Sequence, residues 1–194
     1  MARDRAARPE ARPLRLFVAV DVPDDVRQRL ADAAAGWRDA VPGARWVPPG
    51  NWHVTLKFLG SVWPRLHDWV VAEVGGAAAE VEPFETRLAE VGAFPSSRKA
   101  RVLWAGLDDV SGGFQALASA LDRRLEREFP SEKRPYTAHL TVARLKQQVA
   151  IPPEVLAASV GSEQFPVDRL VLYRSYLQRP AARYEPLGRF PMGS

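Results

Sequence analysis

Of the three histidines in this 194-residue chain, two open the same triplet: His53 in HVTLKFLG and His139 in HLTVARLK. On an extended strand, residues two apart point the same way. His53, Thr55 and Lys57 then share one face, with Val54, Leu56 and Phe58 on the other. His139 and Thr141 likewise share a face, opposite Leu140 and Val142. Each strand has an apolar side for a core and a side where an imidazole stands beside a hydroxyl. Imidazole titrates at about pH 6.5, so it serves as base or acid at neutral pH. Two of them divide the work of phosphoryl chemistry: one takes a proton from the attacking group, and the other gives a proton to the leaving oxygen. Each threonine hydroxyl can donate to a non-bridging phosphate oxygen. Nothing else is formally required to open a strained cyclic phosphate.

Two plainer readings compete. One is packing, since a single H-x-T in a strand is unremarkable; a repeated one in equivalent places is less so. The other is metal binding. Two histidines leave a zinc site short of its third and fourth ligands, and no carboxylate stands at H-x-D or H-x-E spacing, so neither metal nor cofactor is expected. His67, in RLHDWV, lies in a helical context without a partner motif and reads as a surface or boundary residue. Arg144 lies five residues beyond His139, so strict alternation puts it on the opposite face. A role at an anion requires a bulge, a strand end or a reaching side chain. Lys57 has the right parity for a phosphate. Phe17, Trp46, Trp52, Trp104 and Tyr136 lie in or near these strands; each could stack on a base, but core packing is the simpler reading.

The elements that must position these groups are legible. LRLFVAV (14–20) is a buried strand, and PDDVRQRLADAAAGWRDA (23–40) a helix opening on Pro and two aspartates. A short RWV extension precedes WHVTLKFLG, a strand closed by Gly60. A helix follows over about 65–81, then a strand FETRLAEVGAF and a polar loop PSSRK. The pattern restarts with strand ARVLWAGL, helix GGFQALASALDRRLEREF, loop PSEKRPYT and strand AHLTVARLK. A short PPEVLAAS helix, a VDRLVLYRSYL strand and an edge strand RYEPLGRF, limited by Pro186, complete it. The motif histidines are 86 residues apart, and the same offset carries Leu16 to Val102 and Phe84 to Leu170. One offset aligns strand, helix, motif strand and final strand. The expected fold is α+β: a bilobal, pseudo-twofold pair of duplicated lobes of antiparallel sheet, helices packed outside, with a central cleft. Residues 14–194 form one such domain, its halves at about 14–99 and 100–190.

Composition narrows the class further. The absence of cysteine excludes a disulfide framework and a thiolate zinc site. No apolar run approaches the ~20 residues of a membrane span. The opening MARDRAARPEARP lacks the apolar region of a signal peptide, so residues 1–13 read as a disordered basic arm and the chain as a cytoplasmic monomer. A net charge of +4 gives mild support to polyanionic partners.

Taken together, RLFVAVDVP, RWVPPGNWHVTLKFLG, RVLWAGL, AHLTVARLK, LYRSYL and RYEPLGRF resemble the RNA 2′,3′-cyclic phosphodiesterases, formerly called 2′-5′ RNA ligases, of the two-histidine phosphoesterase superfamily. The resemblance runs from about Leu14 to Phe190. It implies metal-independent hydrolysis of RNA-type 2′,3′-cyclic phosphates to 2′-phosphates, with RNA ends or nucleotides as partners. By motif, His53 resembles the family's proton donor and His139 its proton acceptor. Thr55 and Thr141 match its phosphate-binding threonines, and Arg144 an arginine near the phosphate. The chain departs from the family where Ala138 replaces the usual Pro before the second histidine, and in QRPAARYEPL, which lacks a usual Gly. Other readings keep the cleft but change its use: a cyclic phosphate on ADP-ribose, a 2′,5′-linked oligonucleotide, or an RNA-end binding module without turnover.

Overall fold

The computed structural model describes residues 12–131 and 134–193. The arm expected over residues 1–13 lies outside them apart from Arg12 and Pro13. The strands are β1 (Leu14–Asp21), β2 (Arg45–Trp46), β3 (His53–Val62), β4 (Phe84–Thr86), β5 (Leu88–Phe94), β6 (Ala100–Leu107), β7 (His139–Val149), β8 (Phe165–Val167), β9 (Arg169–Tyr176) and β10 (Arg183–Pro191). The helices are α1 (Asp24–Ala35), α2 (His67–Ala79), α3 (Gly113–Leu125) and α4 (Pro153–Leu156). None is long and apolar enough to cross a membrane.

The main sheet is antiparallel and open, in the order β10-β9-β1-β3-β7-β6-β5, with β2 added to β7. It is bilobal: β3 and β7, the two motif strands, meet at its centre through one register pair, Val54 with Leu140. The offset of 86 carries β1 onto β6 and the start of β3 onto that of β7. The offset does not extend to the outer strands: Phe84 lies on β4 and Leu170 on β9, and the step from β4 to β8 (84 to 165) and from β5 to β9 (88 to 169) is 81, because the segment after the motif strand is five residues shorter in the second half. These strands also cross over. β5, from the first half of the sequence, pairs with β6; β9, from the second half, pairs with β1. Leu16 lies opposite Arg174 and Val102 opposite Phe94, so the inner residues are 86 apart and their outer partners 80. Each lobe therefore takes an outer strand from the other half of the sequence. The short strands β4 and β8 pair with each other in a second sheet.

One continuous apolar core runs from the sheet into the helices. α2 packs on α3, β9 and β10, α3 on β3, and α4 on β5. α1 lies beside the segment after α4, where Arg29 Nη1 donates to the Gly161 carbonyl at 3.1 Å.

Several elements differ from the sequence expectation for local reasons. α1 stops at Ala35; beyond it, tight bonds such as Gly36 N to Ala33 O (3.2 Å) turn the chain, and Trp37 is buried. Gly60 does not close β3: with φ of 67° it forms a bulge opposite Leu16, and the strand continues to Val62. FETRLAEVGAF is two strands in two sheets. Thr86 Oγ1 donates to the Asp108 carbonyl (2.7 Å), and the chain turns there from β4 into β5. VDRLVLYRSYL divides similarly at Asp168, whose carboxylate takes two hydrogen bonds from Arg169. β10 is an edge strand as expected, with Pro186 at a register shift before Gly188.

Gly92 on β5 is paired with Trp104 on β6, and the indole lies across it. A Cβ at Gly92 would come within 2.2 Å of the Trp104 ring. Gly92→Ala is therefore expected to destabilise the fold by about 1–3 kcal/mol, the usual range for overpacking. Urea unfolding of the variant measures this.

Candidate active site

The Val54–Leu140 pair determines what faces what. Both side chains are fully buried. Their neighbours along each strand point to the opposite face of the sheet, which is where His53, Thr55, His139 and Thr141 lie. All four are half-buried and line one cavity of about 570 Å³. That volume is within the range of sites that enclose an organic ligand.

Two bulges complete the site. On β7, Leu103 pairs with Ala143 but Trp104 with Thr141, so Val142 is the extra residue. The slip returns Arg144 to the same face as His139, opposite Val102, and Arg144 lines the cavity. The obstacle that strict alternation raised for Arg144 is removed by this bulge. β3 has the equivalent bulge at Leu56, between the pairs Val18–Lys57 and Ala19–Thr55. There the outcome opposes the expected parity. Lys57 turns away from the face that carries the histidines, is only 4% exposed, pairs with Asp122 on α3 and donates to the Pro130 carbonyl at 3.2 Å, while it and Asp122 still border the cavity. Phe58 takes the cleft side instead, 52% exposed. Phe58 and Arg144 are equivalent under the offset of 86, so the cleft has an aromatic ring on one flank and a cation on the other.

The two imidazoles have different surroundings. The His53 ring stacks on Phe17 (centroids 4.7 Å, planes 29° apart) and meets the edge of Tyr184 (5.1 Å). Its cross-strand partner on β1 is Asp21, whose carboxylate accepts a hydrogen bond from Tyr173 Oη at 2.5 Å. Burial pushes the His53 imidazole down to about 4, against the Asn51 carbonyl and the Asp21 charge, which favour the protonated ring. His139 meets the edge of Phe94 (5.0 Å), and its Nδ1 lies 2.8 Å from the Thr137 carbonyl. A carbonyl only accepts, so Nδ1 carries the proton and Nε2 keeps its lone pair. Burial lowers the His139 pKa too, Arg144 adds to the effect, and the Thr137 carbonyl opposes it. The segment leading to His139 is tied to β3 by Tyr136 Oη, which donates to the Thr55 carbonyl (3.1 Å).

His67 is at the start of α2, its Nδ1 3.4 Å from Asp68 Oδ1, and does not line the cavity. Of the aromatics singled out in the sequence, Phe17, Trp52 and Trp104 are buried. Asp21, Asn51, Tyr173 and Tyr184 surround His53 without having been expected there; their placement depends on strand register, which no local pattern encodes. Among the described residues, no three His, Cys, Asp or Glu side chains converge as a metal site would need.

Known proteins resemble this chain in sequence and fold. The family profile described as "LigT like Phosphoesterase" matches residues 20–104 and 107–184. An RNA 2′,3′-cyclic phosphodiesterase of Thermus thermophilus is 34% identical, the match covering 92% of this chain and 90% of that protein. One from Geobacillus stearothermophilus is 28% identical over 91% of this chain, which spans 56% of that relative's length. The crystal structure of E. coli LigT complexed with 3′-AMP superimposes with a TM-score of 0.76 at 28% identity, covering 94% of this chain and 99% of LigT. The fold is thus that of a phosphoesterase. The chain belongs to the LigT-like phosphoesterase family.

Burial of His53 has a consequence for stability. An unfolded imidazole titrates at about 6.5, and the folded one at about 4. Between these values the unfolded chain binds the extra proton, so stability falls as pH is lowered from about 6.5 to about 4. The expected loss from this group is on the order of 3 kcal/mol. Unfolding midpoints in urea across this range should fall less steeply for His53→Asn than for the parent, the remaining slope including His139.

Proposed function

We propose that this protein hydrolyses RNA-type 2′,3′-cyclic phosphates to 2′-phosphomonoesters without a metal, using His53 and His139 as acid and base. The observation that carries the reading is the single Val54–Leu140 bridge, which turns two imidazoles and two hydroxyls into one cavity. The names of its relatives, RNA 2′,3′-cyclic phosphodiesterases, support the substrate class. The 3′-AMP bound to LigT supports a nucleotide-sized ligand. All the groups come from residues 14–194 of one chain, so the reading requires no second copy.

In this mechanism Nε2 of His139 accepts a proton from water as the water oxygen attacks phosphorus. The bond from phosphorus to the 3′ oxygen breaks, and His53 delivers its proton to that oxygen. The 2′ ester bond remains, and the product is a 2′-phosphate. Thr55 and Thr141 donate to the non-bridging oxygens, and Arg144 supplies a fixed positive charge beside them. The Thr137 carbonyl keeps His139 in the tautomer that can act as base. Burial keeps His139 neutral, as a base requires. It also disfavours the protonated His53, and the anionic phosphate reverses this when it enters, because an opposite charge nearby favours imidazolium.

The test is incubation of EDTA-treated protein with a 2′,3′-cyclic nucleotide and identification of the product isomer. Turnover to the 2′-phosphate is expected; tight binding without turnover would favour an RNA-end binding module, and loss of activity in EDTA a metal enzyme. His53→Ala and His139→Ala should each reduce turnover by a factor on the order of 10²–10⁴, with the combined loss far from additive.

The pH–rate profile should be a bell. kcat/KM reports the free enzyme and kcat the complex. Since bound phosphate raises the imidazole pKa values, the alkaline limb of kcat is expected at higher pH than that of kcat/KM. Residual activity of His139→Ala should lack the acidic limb, and that of His53→Ala the alkaline limb. Coincident kcat and kcat/KM profiles would contradict the coupling of phosphate binding to protonation.

A further inference from the structure

The general acid must carry a proton in a place where burial opposes one. The structure contains a group suited to offset this cost. Asp21 ends β1 directly across from His53, and cross-strand neighbours on one face have Cβ atoms about 4.5–5.5 Å apart. Asp21 is half-buried, and its carboxylate is held by the Tyr173 hydroxyl at 2.5 Å. Burial and the Asp21 charge raise the Tyr173 pKa, so that phenol stays protonated and donates. Tyr173 in turn stacks on Phe17 (5.3 Å), the ring on which His53 rests. Carboxylate, phenol, phenyl and imidazole thus form one packed cluster across β1, β3 and β9.

Among the described residues, the other half of the pseudo-symmetric frame has no such cluster. The residue across from His139 is Gly106. The nearest carboxylate over Gly106 is that of Glu90, an exposed residue on β5, 3.4 Å from where a Cβ would be. Exposed charges are strongly screened.

We propose that Asp21, fixed by Tyr173, is a positioning residue: the charge partner that lets the buried His53 take up the proton it delivers. This rests on the proposed acid role of His53. The other groups facing His53 are accounted for. The Asn51 carbonyl favours the protonated ring, while Arg144 on β7 and Arg27 on α1 oppose it. Arg27 is partly engaged elsewhere, by Asp24 at 2.8 Å. Tyr184 on β10 offers only its ring, edge to face with the imidazole. Among the described residues, Asp21 is therefore the one carboxylate among the charges acting on His53.

The experiment is an NMR titration of the imidazoles in substrate-free protein, for the parent, Asp21→Asn, Asp21→Ser and Asp21→Glu, with the pH profile of kcat recorded beside it. With the charge removed, the His53 titration is expected to move to lower pH by at least about half a unit, an effect of the size nearby charges produce. The His139 titration should stay in place and serves as the internal check that the fold is intact. The alkaline limb of kcat should move to lower pH in the same variants, with kcat on that limb falling about three- to tenfold. Asp21→Glu should restore both readouts. Two uncharged replacements are used so that a folding defect in one leaves the other to decide. An unmoved His53 titration in a folded uncharged variant would overturn the inference. So would equal loss of kcat at every pH with no shift of the limb, which is the signature of a structural role alone. If the parent shows no turnover but His53 still shifts in Asp21→Asn, the charge pairing stands and the catalytic reading is the part that fails.

Discussion

The bridge between Val54 and Leu140 is the constraint on which the rest of the site depends. Two half-sheets meet there through one register pair, and each contributes a motif strand to the seam. Because side chains alternate along a strand, burying these two residues leaves His53, Thr55, His139 and Thr141 no orientation but the cleft. A slip of one residue in either strand would turn an imidazole into the core and an aliphatic side chain into the cavity. The buried aliphatics thus hold the register, and the chemistry is distributed on the strength of that register.

Within this near-symmetric frame, the two halves differ in what surrounds the equivalent positions. Equivalent bulges at Leu56 and Val142 put Phe58 on one flank and Arg144 on the other. Equivalent histidines see a half-buried carboxylate on one side and a glycine on the other. Small asymmetries in neighbouring charge are enough to separate their proton affinities, since one pKa unit corresponds to about 1.4 kcal/mol.

The repeat of H-x-T, the offset of 86 and the alternation around each triplet made the two-lobed sheet and the four central groups legible in the sequence. These are local signals reinforced by duplication. What depended on pairing between distant strands was not legible. The parity of Lys57 and of Arg144 follows from bulges that exist only against β1 and β6. Asp21 meets His53 only because β1 is adjacent to β3 in a particular register. FETRLAEVGAF reads as one strand because no Gly or Pro interrupts it before Gly92; the division into β4 and β5 comes from the Asp108 carbonyl, which receives the Thr86 hydroxyl. Gly60 looked like a terminator because glycine with positive φ commonly ends a strand, and here β1 continues to pair beyond it.

The exchange of outer strands between the two sequence halves bears on how such a chain can fold. A duplicated sequence suggests two modules, each able to form and survive alone. Here neither half contains its own complete sheet: β5 completes the lobe begun by β6, and β9 completes the one begun by β1. Severed at the repeat boundary, each fragment would lose an outer strand and expose an inner strand edge, the kind of surface that recruits foreign strands. The pairing of β1 with β9 spans nearly the whole chain, so its loop-closure entropy must be met before either sheet is finished. High contact order of this kind favours slow folding. The interlock makes the two lobes a single cooperative unit, and the cleft between them stays aligned because neither lobe can come apart without opening the other.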